Sequence, residues 1–335
     1  MSTQSGPTPE LFFDSMFAYT RTAAVKAALQ VEMFTAIDEG NHTVPAIAAR
    51  CTSSERGIRI LCDYLTVAGF LRKNGDRYDL TQDSAVFLSK RSPAYMGSVA
   101  EFLASPELMN NFHTLAERVR TGTMAKTAST VSDDNAVWVQ FARAMTPMMM
   151  PPAQAVADAL QVDTAGPLRV LDIAAGHGVF GIALAQRNPQ VTVTAVDWAA
   201  VLGVATGHAK QFGVPADRYR TIEGDAFTVD FGTGFDVVLI PNFLHHFDRD
   251  TNVKFMRKVN AALKPGGRAV IVEFVPNEDR VSPPMAASFA IMMLAGTPSG
   301  TTYTLADLKS IASDAGFSSI TGHPAPPETV VVVTK

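Results

Sequence analysis

Glycines and carboxylates in the second half of the chain are spaced to hold a nucleoside cofactor. Gly176, Gly178 and Gly181 form a G-x-G-x-x-G directly after the apolar run LRVLDI, and Asp197 closes the next run, VTVTAVD. Glycines let backbone approach a ligand at a helix start, and an acidic residue about twenty positions on can accept from ribose hydroxyls. Alone, this pattern fits a nicotinamide dinucleotide as well as S-adenosyl-L-methionine, which lacks phosphate but needs the same close approach for its amino-acid tail. Asp172 separates the two: it stands just before the loop, where an anion opposes a pyrophosphate but can organise the loop or meet the ammonium of a methionine tail. Glu223-Gly224-Asp225-Ala226-Phe227 then offers a carboxylate for an adenine amino group beside an apolar floor, and Lys264-Pro265-Gly266-Gly267 leads into the run AVIVEF.

These residues need a sheet to position them. From 166 onward, apolar runs (LRVLDIAAG, VTVTAVDW, YRTIEGDAF, FDVVLIPNFLHHF, GGRAVIVEFVP) alternate with amphipathic stretches. Strands buried on both faces and joined by crossover helices read this way, so the expected class is α/β, a doubly wound, mostly parallel, Rossmann-like sheet over 166–335. The β-branched VVVVTK at the end should pair late in the same sheet.

The first half has a different texture. Apolar residues recur at helical spacing from Leu11 to about Ile37, with Phe12, Phe13, Met16 and Phe17 clustered, and such a stripe must be covered by the chain's own core or by a partner. Residues 43–88 read as helix, turn, helix and a short hairpin through Asn74-Gly75-Asp76, a winged-helix pattern. Its second helix sets Arg56 and Arg59 beside Ile58, Ile60, Leu61 and Leu65, which favours scaffold use over DNA binding. A helical winged-helix domain over 1–100 is expected, then a helical linker and pocket segment over 101–165 with a polar loop near Thr121 to Asn135 and breaks at Pro147, Pro151 and Pro152.

Bulk properties bound the possibilities. The 335 residues suggest two domains, and 47% hydrophobic with 18% charged residues excludes a disordered chain. A net charge of −4 gives no long-range attraction to nucleic acid. No basic leader or bilayer-length apolar stretch appears, so a cytoplasmic protein without membrane contact is expected. Cys51 and Cys62 are too few for a disulfide framework or thiolate site, both reading as small buried hydrophobes, and the histidines show no metal-ligand spacing.

LDIAAGHG, AVDW, EGDAF, LHHFD and LKPGG occur in the order and spacing of class I S-adenosylmethionine-dependent methyltransferases. With the winged-helix region in front, nearly the whole chain resembles the small-molecule O-methyltransferase family of plant caffeate-type and bacterial polyketide-tailoring enzymes. The resemblance implies a homodimer formed through the N-terminal domain and a small, aromatic or enolic acceptor. It implies that Asp172, Gly176, Gly178, Asp197, Trp198, Asp225, Ala226, Phe227 and Asn242 line the cofactor site. Where the family usually has glycine this chain has Ala174, tolerable if its backbone keeps a negative φ. His177 reads as a local hydrogen-bonding residue.

For the reacting centre the resemblance implies His245 as general base, with Glu273, at the end of the following strand, on its other ring nitrogen. Consecutive His245 and His246 should not share one site, so His246 is expected to cap the next helix or face outward. Many relatives carry another glutamate where Thr302 stands here, which keeps S- or C-methylation open as alternatives. Phe17, Met145, Met148, Met149, Phe289, Met292 and Met293 fall where the family lines its acceptor pocket, although ordinary core packing explains such residues equally well. Two further readings stay open: a nicotinamide dehydrogenase on the glycine loop, and a regulator that uses the winged helix on DNA.

Overall fold

The computed structural model describes residues 6–123 and 136–335, which divide into a unit ending at Ser105 and a second running from Pro106 to Lys335. In the first unit, α1 (Glu10–Gln30) stops where Glu32 takes a left-handed φ of 57°, and α2 (Met33–Asp38) follows. The expected single helical stretch from Leu11 to Ile37 is thus two helices. Ser54 caps α4 (Glu55–Val67) after α3 (Val44–Arg50), and β1 (Leu71–Asn74) pairs with β2 (Arg77–Leu80) through Gly75 at φ 63°, the hairpin expected there. α5 (Gln82–Phe87) and α6 (Val99–Leu103) complete the unit. Phe34, Ile37, Ile47, Ile58, Leu65 and Tyr78 form its core. Phe12, Phe13, Met16 and Phe17 stay outside that core, with Phe17 59% exposed. Cys62 is buried and burial pushes its thiol up to about 12, as for an inert core hydrophobe.

The second unit opens with α7 (Pro106–Asn110), α8 (Leu115–Thr121), α9 (Ala136–Ala144) and α10 (Thr146–Ala159). Pro151 and Pro152 lie inside α10 rather than ending it. The loop expected near Thr121 to Asn135 lies, from 124 on, outside the described residues.

Next come β3 (Leu168–Ile173), α11 (Val179–Arg187), β4 (Val191–Asp197), α12 (Ala199–Gln211), β5 (Tyr219–Glu223) and β6 (Phe235–Pro241). The chain continues through α13 (Arg249–Ala262), β7 (Leu263–Glu273), α14 (Pro284–Gly296), α15 (Leu305–Asp314), β8 (Ser319–Ala325) and β9 (Glu328–Thr334). The strands form one sheet in the order β5-β4-β3-β6-β7-β9-β8, parallel from β5 to β7 and antiparallel beyond. VVVVTK is therefore a strand of the same sheet, as expected, running against β7. Strand β8, written SITGHPA, carries no apolar alternation that would have announced it.

Strand order reverses between β3 and β6. The carboxyl ends of the strands flanking that reversal are where an open α/β sheet ordinarily forms its ligand crevice. Val170, Leu171, Ile173, Val237, Val238, Leu239 and Ile240 are all buried, so the strand tips are held by a core packed on both faces.

Candidate active site

The loop after β3 is built around carboxylates. Asp197 at the tip of β4 accepts the Gly176 N–H at Oδ2 (2.8 Å) and the Trp198 N–H at Oδ1 (2.7 Å). Each oxygen keeps a further lone-pair position, and the residue is partly exposed. Burial nonetheless pushes its carboxyl up to about 6. Gly176 and Gly178 sit at φ 56° and 75°, and a Cβ on Gly178 would stand 2.5 Å from the Tyr219 hydroxyl. Asp172 is fully buried: Oδ2 accepts the Gly181 N–H at 3.1 Å, Oδ1 has no partner among the described residues, and burial pushes the carboxyl up to about 8. A carboxyl held largely neutral by burial is not the anion expected to oppose a pyrophosphate or meet an ammonium, and this geometry supports the other role, organising the start of α11.

Ala174 has a φ of 52°, so the condition under which its methyl group was expected to be harmless is not met. The loop holds this alanine in the left-handed region, which costs an L-residue roughly 1–2 kcal/mol. His177 is buried with its Nδ1 accepting the Val179 N–H at 3.3 Å, and burial drives it down to about 3. It is a neutral local hydrogen-bonding residue, as read from the sequence.

Asp197 pairs in register with Glu223, and the Gly224 N–H donates to the Asp197 carbonyl at 3.1 Å, which sets the Gly224-Asp225 turn beside the β4 tip. Asp225 Oδ1 accepts the Phe227 N–H at 2.8 Å. The Phe227 ring packs on Phe243, Phe247 and Phe255, an apolar cluster beside the turn, while the neighbouring Ala226 carbonyl accepts from Lys258. Asn242, immediately after β6, has φ 52°; its Nδ2 lies 3.5 Å from Met149 Sδ and its buried Oδ1 lacks a partner among the described residues. Acceptors thus dominate these strand tips, and the loop from Ala174 to Gly178 brings no lysine or arginine, its His177 being buried and neutral. That donor set suits ribose hydroxyls and a cationic ammonium or sulfonium, and suits a pyrophosphate poorly.

Beyond β6 the turn Leu244–His246 is 3-10 helical and delivers His245 into the protein, 4% exposed, against Glu273, 3% exposed, at the end of β7. Nδ1 of His245 lies 2.5 Å from Glu273 Oε2, and the His245 backbone N–H donates to Oε1 at 3.2 Å. The Phe289 ring of α14 stands edge-on to the imidazole at 5.0 Å and stacks on Phe274 at 4.1 Å. From the other side the Thr301 N–H donates to the His245 carbonyl at 2.9 Å, and Thr302, buried, follows it.

His246 does not behave as expected. Asp248 caps α13, accepting from Thr251 N at 2.8 Å, and the His246 ring turns inward, 4.4 Å from His245 and 5.4 Å from Trp138. The tight 3-10 turn, with consecutive residues about 120° apart, brings both rings in from the surface, His245 buried and His246 half-buried. Burial drives His246 well below its ordinary range, and its buried Nδ1 has no partner among the described residues.

Of the expected pocket residues, Met145, Met149 and Met293 are buried and Met148 and Met292 partly so. Met149 meets Asn242 and Phe289 meets His245, whereas Phe17 belongs to the first unit. Sequence reasoning missed Glu328, a 2% exposed carboxyl at the start of β9 that faces the Asn242 side chain. Its only signal was an acid next to a β-branched run. Among the described residues no group of His, Cys, Asp or Glu converges as metal ligands, and no helix is long and apolar enough to cross a membrane.

Two family models match the chain: the O-methyltransferase domain over residues 112–318 and the O-methyltransferase dimerisation domain over 13–90. A 3-hydroxy-5-methyl-1-naphthoate 3-O-methyltransferase from Streptomyces sahachiroi is 28% identical over 321 residues, covering 93% of this chain and 90% of its own. A solved structure from Nostoc punctiforme, described as a candidate O-methyltransferase, is 48% identical with a TM-score of 0.94, covering 98% of this chain and 100% of that one. Human N-acetylserotonin methyltransferase, solved in complex with SAM, shares the fold at a TM-score of 0.85 and 20% identity, covering 100% of this chain and 99% of that one.

Proposed function

The chain belongs to the O-methyltransferase family and is an S-adenosylmethionine-dependent methyltransferase, and on that premise we propose that it methylates a hydroxyl of a small aromatic acceptor with His245 as the base. The observation that carries this reading is the buried His245–Glu273 contact of 2.5 Å. S-adenosylmethionine, when bound, supplies a methyl group on a positively charged sulfur. Asp197 would hold its ribose through the unused lone pairs, Asp225 and Phe227 its adenine, and the glycine loop with Asn242 and Trp198 the remainder. Glu273 on Nδ1 requires that nitrogen to carry hydrogen, which leaves Nε2 as the acceptor for the hydroxyl proton. The imidazolium that results is stabilised by the same carboxylate, so proton removal needs no rearrangement of the site.

Phe289 supplies an aromatic edge beside the base, and Met145, Met149, Met292 and Met293 supply adaptable apolar surface, which supports a flat, largely apolar acceptor. The curated relative that acts on a hydroxynaphthoate supports the same class. Thr302 adds no second charge at the base, so the acceptor is expected to carry an acidified hydroxyl such as a phenol conjugated to a carbonyl. The exposed face of α1, within the dimerisation domain, supports a homodimer, which light scattering on the purified chain would read. Mass spectrometry over a panel of hydroxyaromatic acids, thiols and α-keto acids tests the assignment. A methyl-sized gain on a phenolic oxygen is expected, and gain only on sulfur or carbon contradicts it.

A further inference from the structure

The side chain of Lys258, on α13, ends on the backbone of the turn 225–229. Its Nζ donates to the Ala226 carbonyl at 2.9 Å and to the Val229 carbonyl at 2.6 Å, and it stands 4.0 Å from the centre of the Phe231 ring. Phe255 lies three residues earlier on the same helix, and its ring packs on Phe227 at 5.4 Å. Residues three apart share one face of a helix, so that face of α13 holds the turn twice, by the Phe227 ring and by carbonyls on either side of it. The helix is itself anchored in the core through Val253, Phe255, Met256 and Val259.

Inside the turn the hydrogen bonds converge on Asp225. Its carbonyl accepts the Thr228 and Val229 N–H groups at 3.0 and 2.8 Å, and its Oδ1 accepts the Phe227 N–H at 2.8 Å. The carbonyls of Ala226 and Val229 have no place in that set, and Lys258 takes both. We propose that Lys258 is a positioning residue of the cofactor site: by fixing the turn 225–229 it sets the Asp225 carboxylate and the Phe227 ring together at the adenine, and so governs how sharply the enzyme tells adenine from another base. A carboxylate that must meet an exocyclic amino group discriminates only while it is held to within about half an ångström. Without the ammonium the two carbonyls turn to water, and the tie between the two ends of the turn is lost. Lys258 thus acts through Asp225 and Phe227 and takes no part in the methyl transfer itself.

Adenine offers an amino hydrogen where hypoxanthine offers an oxo oxygen, which a carboxylate repels. The wild-type protein should therefore bind adenosylhomocysteine in preference to S-inosylhomocysteine, its hypoxanthine counterpart. In Lys258→Met, similar in length but without donors, adenosylhomocysteine affinity should fall on the order of 10-fold and the preference should shrink several-fold. KM for the cofactor should rise while kcat at saturation changes less than about two-fold, because the binding lost is shared by ground and transition states.

This inference rests on the reading that Asp225 and Phe227 hold adenine, and calorimetry with both nucleosides on full-length protein separates the two. Asp225→Asn, whose amide can donate to the oxo oxygen, should lose the preference or reverse it. If that variant keeps the wild-type preference, the adenine reading fails and the proposal with it. If Asp225→Asn loses the preference and Lys258→Met keeps it, the reading stands and the proposal alone is overturned. A kcat that falls in step with affinity in Lys258→Met also overturns it, because the lysine then merely steadies the domain. Should Lys258→Met not fold, Lys258→Gln, shorter and uncharged, replaces it with the same expectations.

Discussion

Glu273 holds His245 at two points, its Oε2 on the ring Nδ1 at 2.5 Å and its Oε1 on the backbone N–H at 3.2 Å. One carboxylate therefore fixes both the turn after β6 and the tautomer of the imidazole it carries. Glu273→Gln places an amide against Nδ1 and removes the charge that supports the imidazolium. Turnover should fall on the order of 10- to 100-fold with adenosylhomocysteine affinity changed little, as read by steady-state kinetics and calorimetry.

Asp197 ties the glycine loop to the tip of β4 through its bonds to Gly176 and Trp198. Replacing it with alanine should weaken adenosylhomocysteine binding on the order of 10- to 100-fold, the expected loss of charge-assisted hydrogen bonds. In the wild-type protein, affinity should also decline as pH falls through about 6, where this carboxyl gains a proton. An affinity independent of both the substitution and acid would remove Asp197 from the cofactor site.

Asp172 makes a stability prediction with a definite sign. Burial holds its carboxyl at about 8 in the folded state, above the unfolded value near 3.8, so the native protein binds a proton that the unfolded chain releases. Stability from this group is fully present in acid and is lost as pH rises through about 8. Asp172→Asn stays neutral and keeps an acceptor for Gly181. Denaturant unfolding of the cofactor-free protein should show the variant overtaking the wild type toward alkaline pH, by up to a few kcal/mol.

Ala174 offers a substitution that relieves strain. Its φ of 52° belongs to glycine territory. Ala174→Gly loses a little through unfolded-chain entropy and recovers the larger left-handed cost, so a net gain of about 1 kcal/mol is expected in thermal unfolding. A loss of stability would mean that the methyl group packs usefully in the loop.

Much of this was legible because parallel strands write themselves as uninterrupted apolar runs: LRVLDI, VTVTAVD and FDVVLIP all became strands of the central sheet, with Asp197 at the end of the second and His245 in the turn that follows the third. What escaped depended on angles or on distant pairing. The φ of Ala174 is set by the loop as a whole, not by its own type. His246 turns inward because the turn after β6 is 3-10 helical, a detail no periodicity records. Glu328 lies 55 positions after Glu273 and reaches its neighbourhood only because β9 returns antiparallel beside β7. The exposed aromatics of α1 announced a surface that wants covering, without saying by what.

The central claim is that an imidazole held by Glu273 removes the acceptor's proton. Comparing turnover and adenosylhomocysteine affinity in His245→Ala and the wild-type enzyme, with an acceptor identified by mass spectrometry, tests it most directly. The account predicts a fall in kcat of at least about 100-fold with affinity preserved within a few-fold. Turnover that survives the substitution would contradict it.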